Sequence, residues 1–206
     1  MSKYFLSKNS TRPVRPVDGT QSRVRRLTQM SLLAAISIVL IMLLRLSFFP
    51  SAPYLEYDMA DVPVLLGTFL LGPAAGLEIL FVVSAIQAFF LGGNGIIGLI
   101  MHFVASGAMI LAVWAVYRAL GKKTSSLIAG LATGTLVRVL IMIPLNLILT
   151  VHFSGVPRQA VVDMLMPVLI PFNLLVAGIN SIIFFIVYKA VGAVLQTIMT
   201  GKKSGK

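Results

Sequence analysis

The chain has 206 residues, 58% of them hydrophobic and only 11% charged, with 17 Lys and Arg against 6 acids for a net charge of +11. With a mean hydropathy of +0.97, this excludes an ordinary soluble domain, and its cations flank apolar runs rather than interleaving with aromatics, which argues against nucleic acid as a partner. No cysteine and only 2 histidines exclude disulfides, thiolate metal sites and cysteine nucleophiles, and leave too few ligands for an ordinary metal centre.

Residues 1–26 are polar, rich in Ser, Thr and Arg, and interrupted by Pro13 and Pro16. They read as a cytoplasmic tail. The apolar cluster from Tyr4 to Leu6 is too short for a signal-peptide core, so the first span serves as the insertion signal. Runs near the ~20 residues needed to cross hydrocarbon follow at 27–47, 96–119, 126–150 and 167–195. The segment 62–91 is interrupted by Gly72-Pro73 and is either one kinked span or two short ones. The positive-inside rule chooses between them. Arg23, Arg25 and Arg26, then Arg118, Lys122 and Lys123, then Lys202, Lys203 and Lys206 all fall on the cytoplasmic side only if 62–91 crosses twice. The expected architecture is therefore an all-α integral membrane domain of six helices over 27–199, both termini cytoplasmic, ending in a basic tail at 200–206. The exterior loops are 48–61, 92–95 and 151–163.

Polar groups within the spans need a physical reason. In the first, Ser31 and Ala35 form a small-xxx-small pair with Ala34 beside it, allowing close approach of another helix. His102 shares a face with Ala105, Ser106 and Met109, which suits either a helix–helix hydrogen bond or a ligand contact. Arg138 lies near the membrane midplane in the fifth span. Either it pairs with Glu78, the other charge at comparable depth, or it serves a substrate or proton. Asn146 follows Pro144, Asn173 follows Pro171, and Asn180 lies one face-repeat further on. Such amides either cross-link helices or present a donor and an acceptor together to the imide edge of a neutral heterocycle. Trp114, Tyr117 and Tyr188 suit interfacial anchoring.

No catalytic set accompanies these residues. Ser84 and Ser106 have no evident base, GGNG at 92–95 is a helix-joining turn, and no nucleotide-binding motif is present. The acids of YLEYDMADVP at 54–63, Glu56, Asp58 and Asp61, leave open a membrane enzyme that holds Mg²⁺ on a lipid phosphate. The topology instead places them outside, where solvent makes charge inexpensive, with Asp61 capping the second helix ahead of Pro63.

The run FFPSAPYLEYDMADVPVLLGTFLLGPAAG, from Phe48 to Gly76, resembles the signature of the riboflavin-specific S components of energy-coupling factor (ECF) vitamin transporters. IPLN ending at Asn146 and PFN at 171–173 are similar to later motifs of that family, and the likeness covers 27–195. It implies an S-component fold in a bacterial cell membrane that binds riboflavin from outside, with no cofactor and no catalysis of its own. It also implies a transmembrane coupling subunit (EcfT) and two ATPase subunits (EcfA and EcfA') as partners. By the resemblance, Asn146 and Asn173 bond the flavin, and Pro53, Tyr54, Leu55, Glu56, Tyr57 and Asp58 cover the pocket. Ser31, Ala34 and Ala35 dock on the coupling subunit. Val176 stands where the family pattern has Lys, Glu56 where the loop often has Lys, and His102 near an expected Asn. An uncharged flavin therefore fits better than flavin mononucleotide. Other vitamins and flavin analogues such as roseoflavin are the nearest alternatives.

Overall fold

The computed structural model describes residues 19–47, 49–50 and 55–201, with side chains from 23 to 192 within those stretches. The expectations for Pro53 and Tyr54, and for the chain before Gly19 and after Gly201, lie outside the described residues. Helix α1 is Gly19–Leu43, α2 Asp61–Leu71, α3 Pro73–Phe90, α4 Gly95–Ala119 and α5 Thr124–Ser154. Helix α6 runs through Arg158–Met164, Leu165–Leu169 and Ile170–Gly201. Five of these are long and apolar enough to cross a membrane, and α2 is a shorter apolar helix of 11 residues. The chain is a multi-pass membrane protein, and the division of 62–91 into two helices is the observed one.

That division has a local cause. Gly72 takes φ 98°, ψ 165°, a conformation open mainly to glycine, and Pro73 then occupies the first position of α3, where its missing N–H costs nothing. The connection between α5 and α6 departs from expectation. Most of 151–163 is helical, with only Gly155, Val156 and Pro157 outside helix, and α6 begins at Arg158 rather than 167. The exterior segment is also not wholly irregular: Leu46 pairs with Tyr57 and Ser47 with Glu56 in an antiparallel ribbon of two residues per strand, β1 and β2.

Side chains such as Leu32, Val39 and Met42 on α1 or Phe81 on α3 are largely exposed, as lipid-facing surfaces are. The interior is built on Val64, Leu65, Leu80, Met109, Ile110, Val113 and Phe184, all at 0% exposure. Helices α4 and α5 meet across Gly130 and Gly134. A Cβ at Gly130 would stand 2.8 Å from the Val113 carbonyl oxygen, and one at Gly134 2.9 Å from that of Met109. Only glycine permits that approach, as in GxxxG packing.

The polar centre of this interior is Asp61, 1% exposed. One Oδ takes a charge-assisted hydrogen bond from Arg138 Nη1, which also donates to Ser106 Oγ at 2.8 Å. The other lies 3.5 Å from His102 Nε2. Two expectations are corrected here. Arg138 pairs with Asp61 rather than Glu78, which is exposed, and Asp61 is buried within the fold rather than solvated outside it. Nor does Asp61 cap α2: Ala60 precedes the helix with no side-chain cap, and the carboxylate lies in the first turn. The short length of α2 explains the pairing and the burial. Eleven residues rise only about 16 Å, so its first residue lies deep, near the level of Arg138.

Arg138→Met is expected to lower stability by about 3–5 kcal/mol, because it strands a buried carboxylate, whereas Asp61→Leu with Arg138→Met should recover most of the loss. Thermal unfolding of the detergent-solubilised protein measures this. A double variant no more stable than the single one would assign the loss to packing instead.

Candidate ligand-binding site

At the end of the bundle opposite Lys122 and Lys123, the chain from Leu55 to Asp61 is tied down residue by residue. Arg45 Nη1 lies 3.2 Å from Glu56 Oε2, and its Nη2 donates to the Leu91 carbonyl. The Tyr57 hydroxyl donates to Asn180 Oδ1 at 3.0 Å. Burial, with Asp58 and Asp61 beside it, pushes that hydroxyl up to about 12, so it stays protonated and donating at neutral pH. Asp58 closes an Asx turn by accepting from Ala60 N at 3.0 Å, and its other oxygen accepts from Gln87 Nε2 at 2.8 Å. Asn180 Nδ2 returns to the Asp58 carbonyl at 3.1 Å, and Ser37 donates to that of Ala60 at 3.0 Å. Tyr57 packs with Phe172 and Val176, and Phe49 stands edge-on to Phe172 with centroids 6.3 Å apart.

Beside this anchored segment lies a cavity of about 340 Å³, within the range of small-ligand sites. Leu55 contributes from the loop, Ile97 and Met101 from α4, Asn146 and Thr150 from α5, and Met164 and Leu169 from α6. The polar groups on its wall are amides and hydroxyls, those of Asn94, Asn146, Thr150 and Ser154. A smaller space of about 190 Å³ adjoins it, sharing Asn94 and Met101 and lined also by Arg45, Glu56, Ser84 and Gln87.

The helices are irregular where they line the cavity. Asn146–Thr150 is a π-helical turn following Pro144, and Leu165–Leu169 is another that contains Pro167 and precedes Pro171. Proline removes a helix donor and crowds the preceding turn, and a wider turn relieves both constraints. Asn146 Nδ2 donates to the Met142 carbonyl at 2.8 Å and its Oδ1 accepts from Thr150 Oγ1 at 3.4 Å. Asn173 Nδ2 donates to the Leu169 carbonyl, also at 2.8 Å. Each amide thus bonds the carbonyl four residues before it, rather than one released by the neighbouring proline.

The expected site residues divide into three groups. Leu55 and Asn146 line the main cavity and Glu56 its annex. Asn173, Tyr57, Asp58 and Val176 are one layer behind: Asn173 is 2% exposed and bonded to a wall residue, while Tyr57 and Val176 pack against Phe172. His102 adjoins the wall residue Met101, but its Nε2 faces Asp61. Of the docking set, Ser31 and Ala35 are exposed and Ala34 turns into the core. Arg45, Asn94, Met101, Thr150 and Met164 were not anticipated. Thr150 had a signal, standing one turn beyond Asn146. Arg45 had one too, as a charge at the very end of an apolar run.

Glu56, Asp58 and Asp61 do not converge. Each has a different partner, Arg45, Gln87 and Arg138, and among the described residues no three His, Cys, Asp or Glu side chains gather as a metal site. The cavity presents an apolar surface with a few neutral donors and acceptors, suited to holding an uncharged, largely apolar molecule.

Residues 25–188 match the profile of the family described as ECF transporter, substrate-specific component. The Staphylococcus aureus protein named riboflavin transporter RibU is 31% identical over 186 residues, 84% of this chain and 94% of that protein. A RibU from Lactococcus lactis subsp. cremoris is 33% identical over 130 residues, 61% and 62% of the two chains. The Bacillus subtilis riboflavin transporter FmnP is 26% identical over 176 residues, 81% and 91%. A solved structure, described as the S component of a bacterial ECF transporter, superposes with a TM-score of 0.71 at 31% identity, covering 84% of this chain and 98% of its own. The chain belongs to the substrate-specific components of the ECF transporters.

Proposed function

We propose that this protein is a riboflavin-binding subunit for uptake, receiving the vitamin in the cavity between α4, α5 and α6. The observation that carries the reading is the neutral, mostly apolar cavity with Asn146 on its wall, in a chain whose relatives are named riboflavin transporters. The flavin is flat and uncharged, with an apolar ring face and an imide edge that both donates and accepts. The ring suits Leu55, Ile97, Met101 and Leu169. The edge suits an amide, and Asn146 reaches it by turning Nδ2 from the Met142 carbonyl. Asn173 does the same if it releases Leu169. Leu55 closes the near side, on a loop held down by Tyr57 and Asp58.

The end carrying Lys122 and Lys123 is cytoplasmic in this reading, so the cavity opens outward at the surface of a bacterial cell membrane. Among the described residues there is no nucleotide-binding loop. Energy comes from outside the chain, from a coupling subunit (EcfT) and two ATPase subunits (EcfA and EcfA'), and Ser31 and Ala35 form the exposed small-residue face of α1 against which the coupling subunit docks.

Protein purified from flavin-fed cells should carry riboflavin and bind it again after removal, as followed by absorbance and calorimetry, in preference to flavin mononucleotide and unrelated vitamins. Failure of a folded sample to bind riboflavin would refute the proposal. Asn146→Ala and Asn173→Ala should each weaken binding by about 5- to 150-fold, the consequence of an unmade hydrogen bond worth about 1–3 kcal/mol. Unchanged affinity in either would remove that residue from the flavin's contacts. Vesicles holding this protein alone should not accumulate riboflavin against a gradient. With the partners present, Ala35→Trp should depress uptake while leaving binding intact, and parallel loss of both would argue against α1 as the docking face.

A further inference from the structure

Between α5 and α6, where residues of both are exposed, lies an open groove of about 570 Å³. Its walls include Ile128, Leu131 and Leu136 of α5 and Leu174, Ile182 and Phe185 of α6. Four of these, Ile128, Leu136, Leu174 and Ile182, are 48–62% exposed. The hydroxyls on the floor, Thr135 and Ser181, bond each other at 3.2 Å, so the groove asks nothing polar of its occupant. Gly178 lies on the same floor, and a Cβ built there meets no atom within 4 Å. The space continues down to the backbone.

The length and one end of the groove identify what fits. From Leu174 to Phe185 the α6 wall rises about 16 Å, close to the ~15 Å depth of one leaflet's hydrocarbon. One turn beyond Phe185, at the basic end of the bundle, stands Lys189. Its Nζ donates to Thr124 Oγ1 at 2.9 Å and lies 6.0 Å from the Phe185 ring centroid. Among the described residues no carboxylate forms an ion pair with it, and Nζ retains further donors. Thr124 opens α5, so the ammonium sits where the helix dipole already favours an anion, with Lys123 next in sequence.

We propose that this groove binds one anionic phospholipid from the leaflet at the basic end, with an acyl chain laid between α5 and α6 and the headgroup phosphate on Lys189. The length match and a cation at the headgroup level whose ammonium is in no ion pair among the described residues favour a lipid over a partner helix, which would need contacts beyond one leaflet. The lipid is held as a bound molecule rather than as exchanging solvent because the groove recesses one chain and Lys189 selects its charge.

The test uses the full chain, delipidated in detergent and titrated with phosphatidylglycerol or phosphatidylcholine, with bound lipid counted by native mass spectrometry. Wild type should retain one phosphatidylglycerol in preference to phosphatidylcholine. Lys189→Gln should reduce that preference about fivefold, the equivalent of ~1 kcal/mol for one cation at an anionic surface. Gly178→Phe, which fills the floor, should lose retention of both lipids. Thermal unfolding and monodispersity identify a Gly178→Phe sample that has not folded, and in that event Gly178→Leu takes its place. Equal retention of the two lipids by wild type would overturn the proposal, as would undiminished retention in a folded groove-filling variant. A dimer that protects the groove would overturn it in favour of a second copy.

Discussion

A carboxylate and a guanidinium sealed together inside a membrane protein impose more on the fold than any apolar contact does. Neither ion tolerates separation from the other there, since each alone would carry most of its desolvation cost. Asp61 and Arg138 thereby lock the start of α2 to the middle of α5, and Ser106 and His102 bring α4 to the same point. The four residues before Asp61 extend the lock. Ser37 of α1 bonds Ala60, Gln87 of α3 bonds Asp58, and Asn180 of α6 bonds both Tyr57 and Asp58. A five-residue segment therefore makes a polar contact with every other helix of the bundle. These bonds are directional and depend on each other's geometry, so they set helix positions that interchangeable apolar contacts leave free.

The cavity lies beside this lock rather than within it. Leu55, on its wall, is two residues from Tyr57, so the near edge of the site inherits the position of the anchored segment. The far edge is made differently. There α5 and α6 carry π turns and prolines, and their asparagines satisfy themselves on carbonyls of their own helices. Such bonds are exchangeable: an amide can leave a backbone carbonyl for a ligand without uncovering a charge. The fold thus places a firm polar anchor on one side of the site and replaceable hydrogen bonds on the other, as a subunit that must bind and then release its ligand requires.

The six-helix division was legible because Gly72-Pro73 is a local signal, and charge flanking the spans settled its meaning. The type and place of Asn146 leave open a helix cross-link or a ligand contact, and only the family resemblance singles it out; the structure puts it on the cavity wall. The partner of Arg138 was not legible. If every span crosses the full membrane, Glu78 is the charge at matching depth and Asp61 belongs with the exterior acids. Helix α2 is short, so its first residue lies deep, and the partner is 77 positions away. Nothing in a linear pattern distinguishes a solvated acid from a buried one of the same cluster. Gly130 and Gly134 were legible in principle as GxxxG, yet only the approach of α4 shows which helix that face receives.

The charge of the site follows from these pairings. YLEYDMADVP puts three carboxylates within six residues of sequence beside the cavity, which alone would suggest a cation-binding surface. None of the three lines the main cavity: Glu56 pairs with Arg45 at the annex, Asp58 is held by hydrogen bonds from Gln87 and the Ala60 N–H, and Asp61 pairs with Arg138. An ionic ligand entering the main cavity would lose its hydration and find amides, hydroxyls and hydrocarbon in return, an unfavourable exchange. An uncharged one loses little and gains burial. The preference for a neutral molecule in the proposed reading therefore rests on the acids' role in holding the helices together as much as on the groups lining the cavity.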